Sequence, residues 1–119
     1  MTRILLAASN PEFRSALRLL LETRLDLELI IESRDMEHVL AQVEDAHPGV
    51  IILDWELPGR PTRERVSVLR ALNPCLKIIM INSHPDLKQE VLAEGADAFI
   101  CKTDPPSTLL ESIKNFCLD

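Results

Sequence analysis

Glycine is scarce in this chain, with only three among 119 residues, and its scarcity excludes whole classes of site. Too few glycines are present for the glycine-rich loop with which many proteins cradle the phosphates of a nucleotide. The sequence also has no Gly-x-Ser-x-Gly motif and no order of serine, histidine and aspartate that is typical of a hydrolase. We therefore expect a protein that is not an enzyme.

Cysteine is equally sparse, and it is not spaced for metal binding. The three cysteines, Cys75, Cys101 and Cys117, form no ligand pair, and no cysteine–histidine cluster suits zinc. An odd number of scattered cysteines predicts buried free thiols in a reducing compartment, which indicates a cytoplasmic protein.

Basic residues are fewer than acidic residues, and no apolar run is long. The 13 lysines and arginines face 19 acidic residues, so the formal net charge is −6. An acidic domain is not expected to bind nucleic acid directly, because the phosphate backbone would repel it. No apolar run approaches the roughly 20 residues of a membrane span, and the short run at 3–8 lacks the layout of a signal peptide. We expect no membrane contact.

What the sequence does have is a regular alternation of apolar patterns. Short apolar runs predict strands at 4–8, 27–32, 50–53, 78–81 and 98–101. The segments between and after them repeat apolar residues at helical spacing. Asn10 and Asp35 are suited to begin helices, and Gly95 to end one. Five strands alternating with five helices predict one α/β domain with a parallel sheet, right-handed crossovers and helices on both faces.

Polar residues gather where the predicted strands end. Asp54 follows the apolar run Val50–Leu53, and Leu57-Pro58-Gly59 then turns the chain. The ends of the first, fourth and fifth strands carry Ala8-Ser9, Asn82-Ser83 and Lys102. In open α/β sheets, ligands bind in the crevice beyond the carboxyl ends of the strands. Asp54 is therefore either a functional carboxylate or a residue that only caps a turn.

The whole chain, residues 1–119, resembles a single response-regulator receiver domain, with the receivers of LuxR/NarL-type regulators the nearest in pattern. The resemblance rests on the order of the elements, on Asp54 followed by Leu57-Pro58-Gly59, and on Lys102 after the fifth strand. The run from Val91 to Lys102 is also similar to that of receivers that precede helix-turn-helix output domains. The resemblance implies a doubly wound, flavodoxin-like (βα)5 three-layer fold with sheet order 2-1-3-4-5.

The resemblance also implies roles for residues at the edge of the sheet. In the family, the residue at Asp54 accepts a phosphoryl group, and the lysine at Lys102 contacts that group. A serine or threonine at the end of the fourth strand hydrogen-bonds the phosphoryl group, and here Asn82 and Ser83 occupy this place. An aromatic residue of the fifth strand, here Phe99, turns inward when the domain switches on.

The sequence departs from the family at the metal site. Family members bind Mg²⁺ with two adjacent acids after the first strand, the acceptor aspartate and a backbone carbonyl two residues later. The acidic pair falls here on Ala8 and Ser9, and Glu56 supplies the carbonyl position. One carboxylate, Asp54, then faces one lysine, Lys102, so the site is near neutral. Because Mg²⁺ prefers several oxygen anions, we expect no bound metal and a direct Asp54–Lys102 ion pair.

Several neighbouring residues have two interpretations. Arg60, Arg63 and Arg65, just past Gly59, are either an anion or partner site or a solvated helix start, and we expect the second. Trp55 is expected to be half-buried against the first helix or the loop after the fourth strand, or to lie on an interaction surface.

Three functions are compatible with this pattern. The first is an atypical receiver that acts as a protein-interaction module, with phosphorylation of Asp54 lost or weakened. The second is a working response regulator, phosphorylated on Asp54 by a histidine kinase with Mg²⁺. The third is a binder of an anionic small molecule through the cluster Arg60–Arg65. Expected partners are a histidine kinase, an output domain or protein, or a second copy through the fourth helix, fifth strand and fifth helix.

Overall fold

Strands and helices alternate along the chain as the apolar pattern predicts. The computed structural model describes residues 2–59 and 62–117. The strands in this part are β1 (Arg3–Ala7), β2 (Leu29–Ser33), β3 (Val50–Asp54), β4 (Lys77–Asn82) and β5 (Ala98–Cys101). The helices are α1 (Pro11–Arg24), α2 (Met36–Ala46), α3 (Thr62–Leu72), α4 (Lys88–Ala93) and α5 (Pro106–Cys117). A 3₁₀ turn over Pro85–Leu87 precedes α4.

The strands form one parallel sheet in the order β2-β1-β3-β4-β5, which confirms the predicted topology. All residues of β3 are buried, as expected for a central strand covered on both faces. The half-polar β2 lies at an edge, but it begins two residues later than the apolar run indicates. Since all strands run in one direction, Asp54, Asn82 and Cys101 end up at the same edge of the sheet.

Helices cover both faces of the sheet, so the fold has three layers. On one face, residues of α2, α3 and α4 pack against odd-numbered positions of β3, such as Ile51 and Leu53. On the other face, α1 and α5 pack against Val50 and Ile52. Because side chains alternate along β3, this strand contributes to two separate hydrophobic cores. No helix in the described ranges is long and apolar enough to span a membrane.

Local signals fix where the first two helices begin. The side chain of Asn10 accepts hydrogen bonds from the backbone N–H groups of Glu12 (2.9 Å) and Phe13 (3.1 Å). The side chain of Asp35 accepts one from His38 N–H at 2.8 Å. Both caps satisfy donors that the helix itself leaves unpaired, as the sequence predicts.

The prediction of buried thiols is correct for only one of the two cysteines whose surroundings are described. Cys101 is buried in β5, whereas Cys75 is exposed because it lies in the tight turn between α3 and β4. The side chain of Cys117 lies outside the described residues.

The loop after β3 packs closely against the start of α2. Met36 N–H donates to the carbonyl of Pro58 at 3.0 Å. Gly59 has a φ of +126°, and a Cβ built on it would lie 2.7 Å from Cβ of Met36. Only glycine fits this position without strain or displacement of buried Met36.

Substitution of Gly59 by alanine should destabilise the fold. We expect Gly59→Ala to lower the free energy of unfolding by about 2–4 kcal/mol, because the new methyl group meets both an unfavourable φ and a filled space. Gly49→Ala is the matched control, since a Cβ there meets only the Arg3 carbonyl oxygen, at 4.0 Å. Its effect should stay within about 0.5 kcal/mol. Urea unfolding measures both variants, and equal losses would contradict the steric account.

An ion-pair network joins α1 to the end of β2. Glu32 accepts hydrogen bonds from Arg14 Nε and Arg18 Nη1, each at 2.9 Å. Partial burial alone would raise the pKa of Glu32, but the two arginine hydrogen bonds outweigh burial and hold that pKa below its ordinary value. The network therefore stabilises the fold while Glu32 is ionised.

The contribution of Glu32 should disappear in acid. Because its folded-state pKa is depressed, the stabilisation is fully present above the unfolded-state pKa of about 4.3 and is lost as the pH falls through the folded-state value. At neutral pH we expect Glu32→Gln to lower the free energy of unfolding by about 0.5–1 kcal/mol, given its partial exposure. Urea unfolding at neutral pH and at about pH 3 compares the two proteins. A difference that does not shrink in acid would refute this account.

Candidate functional site

The carboxylate of Asp54 lies at the carboxyl end of the central strand, with only 3% of the residue exposed. Its Oδ1 accepts a hydrogen bond from Glu56 N–H at 3.0 Å. Trp55 N–H donates to the Ile81 carbonyl at 3.0 Å, which continues the β3–β4 pairing past the carboxylate. The strand and its turn thus hold Asp54 in a fixed orientation.

Lys102 is the direct partner of Asp54, as the sequence analysis expects. Its Nζ donates to Asp54 Oδ2 at 2.8 Å. The same ammonium group lies 4.6 Å from the centre of the Phe13 ring, within cation–π range. Lys102 N–H donates to the Asn82 carbonyl at 2.7 Å, which fixes the backbone that carries this lysine.

Asn82 closes the site on the β4 side. It is 1% exposed, and its Oδ1 accepts a hydrogen bond from His84 N–H at 2.8 Å. Its Nδ2 is buried and makes no hydrogen bond with the described part of the chain. The neighbouring Ser83 is exposed. A donor therefore remains at the place where the resemblance puts the strand-four hydroxyl.

The degenerate metal positions bring one buried carboxylate, that of Asp54, to the site. Ala8 is buried, and its carbonyl accepts a hydrogen bond from Arg14 Nη1 at 2.7 Å. Ser9 and Glu56 are exposed. No group of three or more histidine, cysteine, aspartate or glutamate side chains suited to a metal occurs within residues 2–59 and 62–117. Asp54 itself already has both carboxylate oxygens engaged in hydrogen bonds.

Arg65 contradicts the expectation of a solvated helix start. Only 4% of this residue is exposed. Its guanidinium donates to the carbonyl of Trp55, at 2.9 Å, and to that of Leu57. Burial lowers the pKa of Arg65, and the negative charge of Asp54 opposes that change. The cluster Arg60–Arg65 is therefore not one solvated patch; Arg60 and the side chain of Arg63 lie outside the described residues.

The position of Arg65 on α3 was a signal that sequence reasoning missed. Arg65 precedes the buried Leu69 by four residues, so the two share one face of the helix. Its neighbour Val66 is buried as well. Arginine is usually a surface residue, and that general expectation hid the position of Arg65 on the buried face of α3.

Two of the aromatic residues beside the site, Trp55 and Phe99, are half-buried on one face of the sheet. Trp55 and Phe99 pack against the core that α2, α3 and α4 cover. The expectation that Trp55 is half-buried is correct, but its contacts are on the face opposite α1. His84, like His38 and His47, is exposed.

Comparison with known proteins identifies the family. A model described as "Response regulator receiver domain" matches residues 4–114, and the chain belongs to this family. It is 31% identical over 113 residues to the transcriptional activator protein ExaE of Pseudomonas putida, covering 93% of this chain and 53% of that protein. It is 26% identical over 112 residues to the nitrate/nitrite response regulator protein NarL of Escherichia coli K12, covering 92% and 52%. The chain thus spans about half the length of these curated relatives.

Solved structures of receivers have the same fold. The chemotaxis response regulator CheY4 of Vibrio cholerae matches with a TM-score of 0.83 and 25% identity, over 98% of each chain. A LuxR-family DNA-binding response regulator from Staphylococcus aureus matches with a TM-score of 0.86 and 23% identity, over 98% of each chain. The chain is a receiver domain of the two-component response-regulator type. The roles given above to Asp54, Lys102, Asn82, Ser83 and Phe99 stay predictions.

Substitution of Lys102 should destabilise the fold more than substitution of Asp54. In the pair, the side chain of Lys102 is 23% exposed and that of Asp54 is 5% exposed. Lys102→Met should therefore lower the free energy of unfolding by about 3 kcal/mol, because it leaves a buried charge without this partner. Asp54→Asn should cost less, since the freed ammonium group can extend into water.

The double variant Asp54→Asn/Lys102→Met separates the coupling energy of the two residues from the loss of stability in each single variant. We expect it to be more stable than the sum of the single losses predicts, by about 1–3 kcal/mol. Glu28→Gln is the control, since it removes a pair with Arg3 whose side chains are 43% and 40% exposed. Thermal or urea unfolding measures the wild type and the four variants. Additive losses at Asp54 and Lys102 would rule out an energetically coupled pair.

Proposed function

We propose that this receiver acts mainly as a protein-interaction module of two-component signalling in the cytoplasm, with Mg²⁺-dependent phosphorylation of Asp54 lost or much weakened. The proposal rests on the burial of Asp54 and on its hydrogen-bond partners. Its carboxylate is buried and held by Lys102 at 2.8 Å and by Glu56 N–H at 3.0 Å. The acidic pair that the family places after the first strand is replaced here by Ala8 and Ser9.

Loss of the acidic pair weakens the site through charge. Receiver domains bind Mg²⁺ when active. Each missing carboxylate removes an attraction to the dication worth several kcal/mol at an effective dielectric constant of about 20, and desolvation returns much of that. A net loss of about 3 kcal/mol weakens binding roughly a hundredfold. Phosphoryl transfer depends on positioning and on neutralising the charge of the phosphoryl oxygens, so Asp54 without a metal is a poor acceptor.

The chemistry that these residues retain is electrostatic. Lys102 neutralises the Asp54 carboxylate and fixes its direction. The interaction with Phe13 on α1 and the backbone hydrogen bond to Asn82 on β4 hold the lysine in place. These contacts of Lys102, which follows β5, tie α1, β3 and β4 together at the site.

The alternative function is an ordinary phospho-accepting regulator served by a histidine kinase. The buried Nδ2 of Asn82, which lacks a partner among the described residues, favours it. An amide donor there is able to hydrogen-bond a phosphoryl oxygen on Asp54. In this case Mg²⁺ would be the cofactor, and Asp54 and the Glu56 carbonyl would be its remaining ligands.

Partners are proposed on the face formed by α4, β5 and α5. Leu92 on α4 is 38% exposed, and Phe99 on β5 is half-buried. This face would contact an output domain or protein, or a second copy of the chain. A binder of anionic small molecules through Arg60–Arg65 is not proposed, because the guanidinium of Arg65 is buried against backbone carbonyls.

Phosphoryl uptake separates the two functions. We expect the intact mass of the wild type to stay unchanged after incubation with acetyl phosphate, with or without Mg²⁺. Asp54→Ala is the control for modification elsewhere. A known phospho-accepting receiver treated in parallel shows that the donor is competent. One added phosphoryl group that requires both Mg²⁺ and Asp54 would overturn the proposal and establish the alternative.

A further inference from the structure

The ammonium group of Lys102 interacts with two different side chains. Its Nζ donates to Asp54 Oδ2 at 2.8 Å, and it lies 4.6 Å from the centre of the Phe13 ring. The face of an aromatic ring carries partial negative charge and attracts a cation within about 6 Å of its centre. Lysine is otherwise a flexible side chain whose charged end readily turns into water. The carboxylate is therefore not the only group that sets the direction of this lysine.

The first turn of α1 fixes the backbone that carries the Phe13 ring. The side chain of Asn10 accepts a hydrogen bond from Phe13 N–H at 3.1 Å, and the Asn10 carbonyl accepts one from Arg14 N–H at 3.0 Å. The guanidinium of Arg14 donates to the carbonyl of Ala8 at 2.7 Å and to the carboxylate of Glu32 at 2.9 Å. These contacts attach the turn to the ends of β1 and β2, so Phe13 is held in place from the backbone side.

Phe13 and Lys102 also line an open apolar cavity of about 350 Å³, whose other walls come from α1, β4, β5 and the start of α5. Most of the lining side chains are leucine, isoleucine, alanine or proline. The one lining carboxylate is that of Asp104, which is exposed and accepts a hydrogen bond from Cys101 N–H at 3.0 Å. The cavity therefore gives the lysine room to turn away from Asp54 if the ring is absent.

We propose that Phe13 is a positioning residue that keeps the ammonium group of Lys102 on Asp54. Its ring attracts the ammonium group and restricts rotation of the flexible lysine chain. The inference rests on the proposed function and deepens it, because a lysine held on Asp54 is not available to an incoming phosphoryl group. A released lysine would offer its charge to an anion. The placement of α1 therefore regulates the charge that the site presents.

Exchange of the Lys102 ammonium protons with water measures how often this lysine leaves Asp54. The sequence has only four lysines, Lys77, Lys88, Lys102 and Lys114, so NMR of protein with isotope-labelled lysine resolves their side-chain signals. Lys102→Arg identifies the signal of Lys102. Phe13→Leu removes the ring but keeps an apolar side chain, whereas Phe13→Tyr keeps the ring.

Phe116→Leu is the matched control. Phe116 packs against the same core as Phe13, but its ring lies near a different lysine, 6.0 Å from Lys77 Nζ. Circular dichroism checks that each variant is folded. Phe13→Met is the second variant without a ring if Phe13→Leu does not fold.

We expect the Lys102 ammonium protons to exchange about fivefold faster in Phe13→Leu than in the wild type, and at the wild-type rate in Phe13→Tyr. A cation–π interaction of about 1 kcal/mol corresponds to that factor. Phe116→Leu should leave exchange at Lys102 unchanged. If Phe13 only filled space, Phe13→Leu would leave it unchanged as well.

Three results would overturn the inference. They are equal exchange rates in the wild type and Phe13→Leu, exchange in Phe13→Tyr as fast as in Phe13→Leu, and an equal increase in Phe116→Leu. Phosphoryl uptake by the wild type would instead count against the proposed function, and it would leave the comparison of exchange rates intact. The two claims therefore fail separately.

Discussion

Burial of one carboxylate at the end of the central strand is the constraint on which this site depends. Burying a carboxylate to 3% exposure is costly unless its surroundings supply hydrogen-bond donors and positive charge. Lys102, which directly follows β5, and the N–H of Glu56 provide them. Because the strands are parallel, the carboxyl ends of β3, β4 and β5 lie at one edge of the sheet. The sheet therefore places Lys102 beside Asp54, and the carboxylate orients its hydrogen-bond donors.

The turn after β3 is a second centre of organisation. Arg65 holds it from α3 through the carbonyls of Trp55 and Leu57, and Met36 holds it from α2 through the carbonyl of Pro58. Gly59 allows that close approach. One short turn thus connects two helices to the site.

Much of this organisation was predictable from sequence because it follows from local rules. The caps at Asn10 and Asp35 and the apolar run of β3 are short-range signals. The ion pair of Asp54 with Lys102 was expected from the family resemblance, which also supplied the order of the strands. The burial of Arg65 was not predictable in the same way. A long cationic side chain enters the interior only where backbone carbonyls are turned toward it, and that depends on the folded shape of residues 55–57. Exposure of Cys75 likewise reflects a turn that composition does not reveal.

The shortness of α4 has a consequence for the motions of the domain. This helix has six residues and follows a 3₁₀ turn, and Val91 is its one buried residue. A helix of that length has little stability of its own and is held by few apolar contacts. Amide protons of this segment should therefore exchange with solvent through local opening, well before those of β3 and β4, which exchange only when the whole domain unfolds. A change of shape in α4 should therefore cost less free energy than one in the central strands.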